Sequence, residues 1–158
     1  MYLVTKTYGH ERGLSACFRQ RHADSHCKYL HGYALSFSFT FTTTCLDVRN
    51  WVIDFGALKN LEKRLKNAFD HKTIISPGDP HLSMFKALDR MDLIQLVIMM
   101  EVGCEAFAKH AFDLAVETIR TDVNLNRRNI EVVSVTCSEH GSNSATYINT
   151  IPPIKDNE

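Results

Sequence analysis

The sequence lacks a charge excess of either sign. Its 158 residues carry 18 Lys and Arg against 18 Asp and Glu, so the formal net charge is zero. A protein that coats nucleic acid through its phosphates needs a basic surplus, and that class of partner is excluded. Long apolar runs are also missing. The longest, Leu93 to Met100, holds Gln95 within it, whereas a membrane-spanning helix needs about 20 residues. Glycine and proline are sparse, at 7 and 4. There is no Gly/Ser linker, repeat or low-complexity tract, so residues 1–158 read as a single domain. Cysteine is present but odd in number, at positions 17, 27, 45, 104 and 137. That is not the even set of a disulfide framework, and it suits a reducing, cytoplasmic compartment. The start, Met1 to Thr7, has no charged leader followed by an apolar run, so no signal peptide is expected. Apolar residues make up 44% of the chain, which excludes intrinsic disorder.

The clearest local signal is a strand over Ala34–Thr44. Leu35, Phe37, Phe39 and Phe41 alternate with Ser36, Ser38, Thr40 and Thr42, giving one large apolar face and one small hydroxyl face. Tyr2–Tyr8 and Leu14–Gln20 read as two strand pieces around a break at Gly9–Gly13, and Trp51–Ile53 as a short strand. Asp54 is the expected N-cap of a first helix, with Leu58, Leu61, Leu65, Ala68 and Phe69 at helical spacing. A second helix spans about Cys104 to Arg120. Ser76-Pro-Gly-Asp79 reads as a turn, and the stretch from there to Met100 is ambiguous. Ile130–Ser138 and Ser144–Ile148 form a hairpin. The tail with Pro152 and Pro153 reads as frayed. This order implies an α+β fold, an antiparallel four-stranded sheet with two helices on one face. Its two open edges need a cover, and a ring of copies forming a barrel supplies one.

Three places can carry chemistry. In His22-Ala-Asp-Ser-His26-Cys27-Lys-Tyr-Leu-His31-Gly-Tyr33, three imidazoles crowd one thiol. That set could hold zinc, could place a cysteine beside a base, or could be a polar loop. Asp70-His71 pairs a carboxylate with an imidazole whose tautomer it can set, although a histidine at a helix C-terminus is also favoured by the dipole. Glu139 ends a strand of Val, Ser, Thr and Cys. It is either a solvated strand end or an acceptor of two parallel N–H bonds from a guanidine-like ring edge, as in a pterin or guanine.

Together these pieces resemble the 6-pyruvoyl-tetrahydropterin synthase and 6-carboxy-tetrahydropterin synthase family, the second being the queuosine-pathway enzyme. The landmarks are Cys27-Lys-Tyr-Leu-His31-Gly, Trp51-Val-Ile-Asp54-Phe55-Gly-Ala-Leu58, Asp70-His71, Glu105 in the second helix, and Val135-Thr-Cys-Ser-Glu139 followed by Ala145-Thr-Tyr147. The resemblance implies the tunnelling fold (T-fold), subunits joined in barrels, and a homo-oligomer such as a hexamer built as a dimer of trimers. It implies a lyase acting on a small-molecule pterin triphosphate, 7,8-dihydroneopterin triphosphate, with no nucleic-acid or membrane partner. Cys27 matches the proton-transfer thiol, Asp70 and His71 its acid/base partners, and Glu139 the pterin anchor, with Glu105 beside the substrate. Arg19, Arg21 and Lys28 are the cations expected near the triphosphate.

The chain departs from the family at the metal. The resemblance implies zinc held by three histidines, yet Phe18 and Tyr33 stand at two of those positions and only His31 remains. Either His22 or His26 joins His31 in a rebuilt site, or the pocket works without zinc as a pterin- or purine-binding enzyme or a non-catalytic paralogue. The family's Pro-Thr-x-Glu entry to the second helix is Val102-Gly-Cys-Glu105 here. The stretch Ser76–Met100 is longer than the usual connection, as for a lid or an oligomer contact.

Overall fold

The computed structural model describes residues 1–150; the tail with Pro152 and Pro153 lies outside them. Its centre is β3 (His31–Thr43), flanked along one side by β1 (Tyr2–Tyr8) and β2 (Leu14–Phe18) in series and on the other by β6 (Glu131–His140). β7 (Asn143–Ile148) pairs with β6 as a hairpin. These are the four antiparallel rows expected from the sequence, with β1 and β2 sharing one row across the Gly9–Gly13 break, where Gly13 takes the left-handed φ of 65°.

Two short parallel strands extend the sheet beyond that expectation. β4 (Lys72–Ile75) pairs with β2, and β5 (Leu96–Ile98) pairs with β4. Parallel neighbours need a crossover, and the ambiguous stretch supplies it through helix α2 (Leu82–Arg90). The turn at Ser76–Asp79 is present, with the Asp79 N–H donating to the Ser76 carbonyl at 3.0 Å.

The period-two pattern of β3 explains the layers. Leu35, Phe37, Phe39 and Phe41 are fully buried beneath α1 (Lys59–Phe69) and α3 (Cys104–Thr121). Each such side chain contributes roughly 1.5–3 kcal/mol on burial. From α1 come Leu61, Leu65 and Phe69; from α3 come Phe107 and the small residues Ala108, Ala111 and Ala115, which let that helix lie close. The opposite face carries hydroxyls in register across four strands: Thr7, Ser38, Thr136 and Thr146 stand in one row. Thr7 bonds Ser38 at 2.9 Å, and Thr136 bonds Thr146 at 2.8 Å.

Trp51–Ile53 is not a strand. Asp47 Oδ1 accepts from the N–H groups of Arg49 and Trp51, both at 2.9 Å, and that side-chain-to-backbone turn competes with ladder formation. Val52 and Ile53 plug the core instead. Asp54 caps as expected, accepting from the Gly56 N–H at 2.8 Å, but it opens a short 3-10 turn (Phe55–Leu58) that leads into α1. Among the described residues no helix is long and apolar enough to cross a membrane.

Candidate active site

The register Phe18↔His31 sets the site's foundation, because the end of β2 and the start of β3 meet there. Between them the chain makes an excursion and is pinned back. The Gln20 N–H donates to the Cys27 carbonyl at 2.8 Å, and the Ala23 N–H to the Gln20 carbonyl at 3.0 Å. Cys27 sits in a single 3-10 turn, His26–Lys28, capped by Ser25. Gly32 allows the two strands to close up, since a Cβ there would stand 2.8 Å from the Ala16 carbonyl oxygen.

A cleft of about 180 Å³ opens at this end of the sheet. Its walls are Phe18, Gln20, Cys27 and His31 from the β2–β3 junction, Gly103, Cys104 and Glu105 at the start of α3, and Glu139, Asn143 and Ser144 from the β6–β7 hairpin. The Gln20 side-chain amide donates to the Val102 carbonyl and ties the first wall to the second. Gly103 turns the chain into α3 at a φ of 115°, which side chains rarely adopt. Cys27, His31, Glu105 and Glu139 are thus brought together. Phe18, Gln20, Cys104, Asn143 and Ser144 complete the lining. Of these, Asn143 and Ser144 were findable as the hairpin neighbours of Glu139, while Gln20 gave no sequence signal.

The electrostatics agree with that convergence. Partial burial holds the Tyr33 phenol above its ordinary pKa, and Glu139, Cys27 and Cys104 push it the same way. Beneath the cleft, Cys137 is kept protonated by its hydrogen bond with Cys104, by burial and by the charges of Glu139 and Glu105. Cys104 and Cys137 are buried, whereas Cys27 is exposed. A reactive thiol must be reachable, so Cys27 is the cleft's candidate nucleophile or base.

Asp70 and His71 do not line this cleft. They form a close pair, with His71 Nδ1 and Asp70 Oδ1 2.6 Å apart and the His71 side chain 81% exposed. Ile74, not His71, stands level with Phe18. His71 precedes β4 (Lys72–Ile75) and so sits back from that level. Of the three expected cations, Arg19 is engaged by the buried Asp79 at 3.5 Å, and Lys28 rests 5.3 Å from the Tyr29 ring. No residue of Ser76–Met100 lines the cleft.

The zinc implied by the resemblance does not fit the residues present. The expected ligand set of His22, His26 and His31 is not assembled: His22 and His26 are exposed and do not line the cleft. His31 Nδ1 is hydrogen-bonded to the Tyr29 carbonyl at 2.7 Å. Among the described residues no three His, Cys, Asp or Glu side chains are placed to hold an ion.

Comparisons with known proteins agree with this architecture. A family model described as 6-pyruvoyl tetrahydropterin synthase matches residues 9–150. The 6-carboxy-5,6,7,8-tetrahydropterin synthases of Rickettsia typhi and Rickettsia bellii are 37% and 35% identical over 57 residues, 35% of this chain. The match spans about two fifths (41%) of the length of each of these curated relatives. Among solved structures, an uncharacterized protein from Wolinella succinogenes superposes with a TM-score of 0.75 at 18% identity, covering 94% of this chain and 98% of that one. The 6-pyruvoyl tetrahydropterin synthase of Plasmodium vivax gives a TM-score of 0.61 at 17% identity, covering 96% and 100%. At these identities the structures establish the shared T-fold. The family match, running from the end of the first strand to the last described residue, establishes the kinship, and the chain belongs to the 6-pyruvoyl tetrahydropterin synthase family.

Proposed function

We propose that the chain is a lyase that acts on 7,8-dihydroneopterin triphosphate to form a 6-carboxy- or 6-pyruvoyl-tetrahydropterin. The observation that carries this reading is the convergence of Cys27, Glu105 and Glu139 on one cleft, from a loop, a helix start and a strand end far apart in sequence. An ionised Glu139 is acceptor-only and suits the 2-amino and N3 groups of a pterin through two charge-assisted bonds. The cleft's 180 Å³ is small beside the roughly 300–1,000 Å³ of most ligand pockets. One chain therefore encloses the bicyclic ring and leaves the side chain at the mouth, where Cys27 serves as the proton-transfer base. Arg21 and Lys28 serve the triphosphate, because Arg19 is occupied by Asp79. The names of the Rickettsia relatives favour the 6-carboxy product.

In this reading Asp70 and His71 reach Cys27 from a second copy of the chain. Three features support that. The pair is exposed and preoriented by its own 2.6 Å contact. His71 is held at a left-handed φ of 56°, a conformation that clusters at functional sites. The sheet also has free edges, and its hydroxyl rows suit the inside of a closed barrel.

The test is incubation of the purified chain with 7,8-dihydroneopterin triphosphate, with products followed by chromatography. The native protein consumes the substrate. Cys27→Ala lowers turnover by about 10²–10⁴-fold, the usual weight of a general base, and leaves pterin binding intact. No consumption by the native protein, with or without added zinc, overturns the assignment. A pterin- or purine-binding protein without catalysis is the second reading, favoured by Phe18 at an implied metal position; it requires that Cys27→Ala change nothing.

A further inference from the structure

Next to the cleft, three rings stand in a triangle. The ring centres are 4.9 Å apart for Phe18 and His31, 5.7 Å for His31 and Tyr33, and 6.2 Å for Phe18 and Tyr33. Three imidazoles around one tetrahedral zinc, with Zn–N bonds of about 2.0–2.1 Å, have ring centres roughly 5 Å apart. The backbone thus holds the spacing of a three-histidine site, but two of its three rings carry no ring nitrogen.

The triangle is also filled and packed. Phe18 is 1% exposed and meets Phe107 edge-on at 5.0 Å. His140 packs on Tyr33 at 6.0 Å, and its Nδ1 accepts from the Ser142 N–H at 3.2 Å. An apolar ring with no donor atom occupies the place of a ligand, so an ion there would lose its coordination and displace a core side chain.

We propose that this cleft binds its heterocycle without a resident metal, against the Phe18–His31 wall, and that histidines at positions 18 and 33 would turn the triangle into a zinc site around His31. The first part rests on the pterin reading above; the second rests on the ring geometry at the positions where the resemblance implies histidines.

Elemental analysis of the purified native protein after dialysis against EDTA is expected to find zinc far below one per chain. Titration with neopterin, followed by its fluorescence, is expected to give the same affinity in EDTA, in buffer and with added zinc. The double variant Phe18→His/Tyr33→His is expected to take up one zinc per chain and, with cobalt, to show the visible absorption of a tetrahedral site. Phe18 is a core residue, so the single variant Tyr33→His serves as a second probe. Its half-buried position tolerates the change, and the added imidazole tightens zinc binding by about tenfold or more relative to the native chain.

Stoichiometric zinc retained by the native protein, or neopterin binding that appears only with zinc, overturns the proposal. A folded double variant that takes up no zinc overturns the ring-geometry part. Zinc-free native protein that binds no neopterin in any condition overturns the pterin reading while supporting the metal-free site.

Discussion

The two ends of the cleft differ in what they can recognise. One end is polar: Glu139, Glu105 and Gly103 at the start of α3 line it. The other end is a wall of two rings, Phe18 and His31, with Tyr33 packed against both and His31 held by its bond to the Tyr29 carbonyl. Here the polar end keeps its acceptor while the other has lost its donors. In the proposed reading, recognition of a ring edge and the holding of a metal would hang on different strands: Glu139 stands on β6, and Phe18, His31 and Tyr33 on β2 and β3.

Substitutions at each end test that separation. The largest effect belongs to the aromatic end. Phe18→Ala removes a ring that touches Phe107 and both neighbours of the triangle, and it is expected to destabilise the fold by about 3–5 kcal/mol in thermal or denaturant unfolding. A near-neutral result would mean that the wall is loosely filled and not locked.

A smaller effect comes from the core beside neither end. Tyr8 is 2% exposed, and its hydroxyl donates to the Leu58 carbonyl at 3.3 Å. Burial first, and the Glu62 carboxylate second, push its phenol from 10.0 up to about 12. The native state therefore holds this proton more tightly than the unfolded chain. That stabilisation is full below pH 10 and is lost as the pH rises through about 12. It amounts to about 3 kcal/mol for the two-unit difference. Tyr8→Phe is expected to flatten the alkaline fall in stability across that window, as read by denaturant midpoints at successive pH values. An unchanged slope would place the alkaline sensitivity elsewhere, for example at Tyr33.

Much of the scaffold was legible in the sequence. The Phe37, Phe39 and Phe41 alternation is periodic enough to fix a strand and its buried face, and Leu61, Leu65 and Phe69 fix a helix in the same way. The short parallel strands β4 and β5 were not legible, because Thr73–Ile75 and Leu96–Ile98 are too brief for periodicity to tell strand from loop. Trp51–Ile53 misled because its β-branched residues bury without joining a ladder. At the site, Cys27, His31, Glu105 and Glu139 could be named from motifs. Their meeting depends on the β2–β3 register and the Gln20 tie to Val102, which no local pattern encodes. His22 and His26 drew attention by proximity in sequence, yet they sit exposed on an excursion that never turns them toward His31.

In the proposed reading the polar end recognises the ring edge through Glu139. Neopterin titration of native protein against Glu139→Gln tests it most directly. Hydrogen bonds to a charged group contribute about 1.5–3 kcal/mol, so the amide variant is expected to bind about 10–150-fold more weakly, with its unfolding midpoint little changed. Equal affinity of the two proteins would overturn that reading and leave Glu139 as only a solvated strand end.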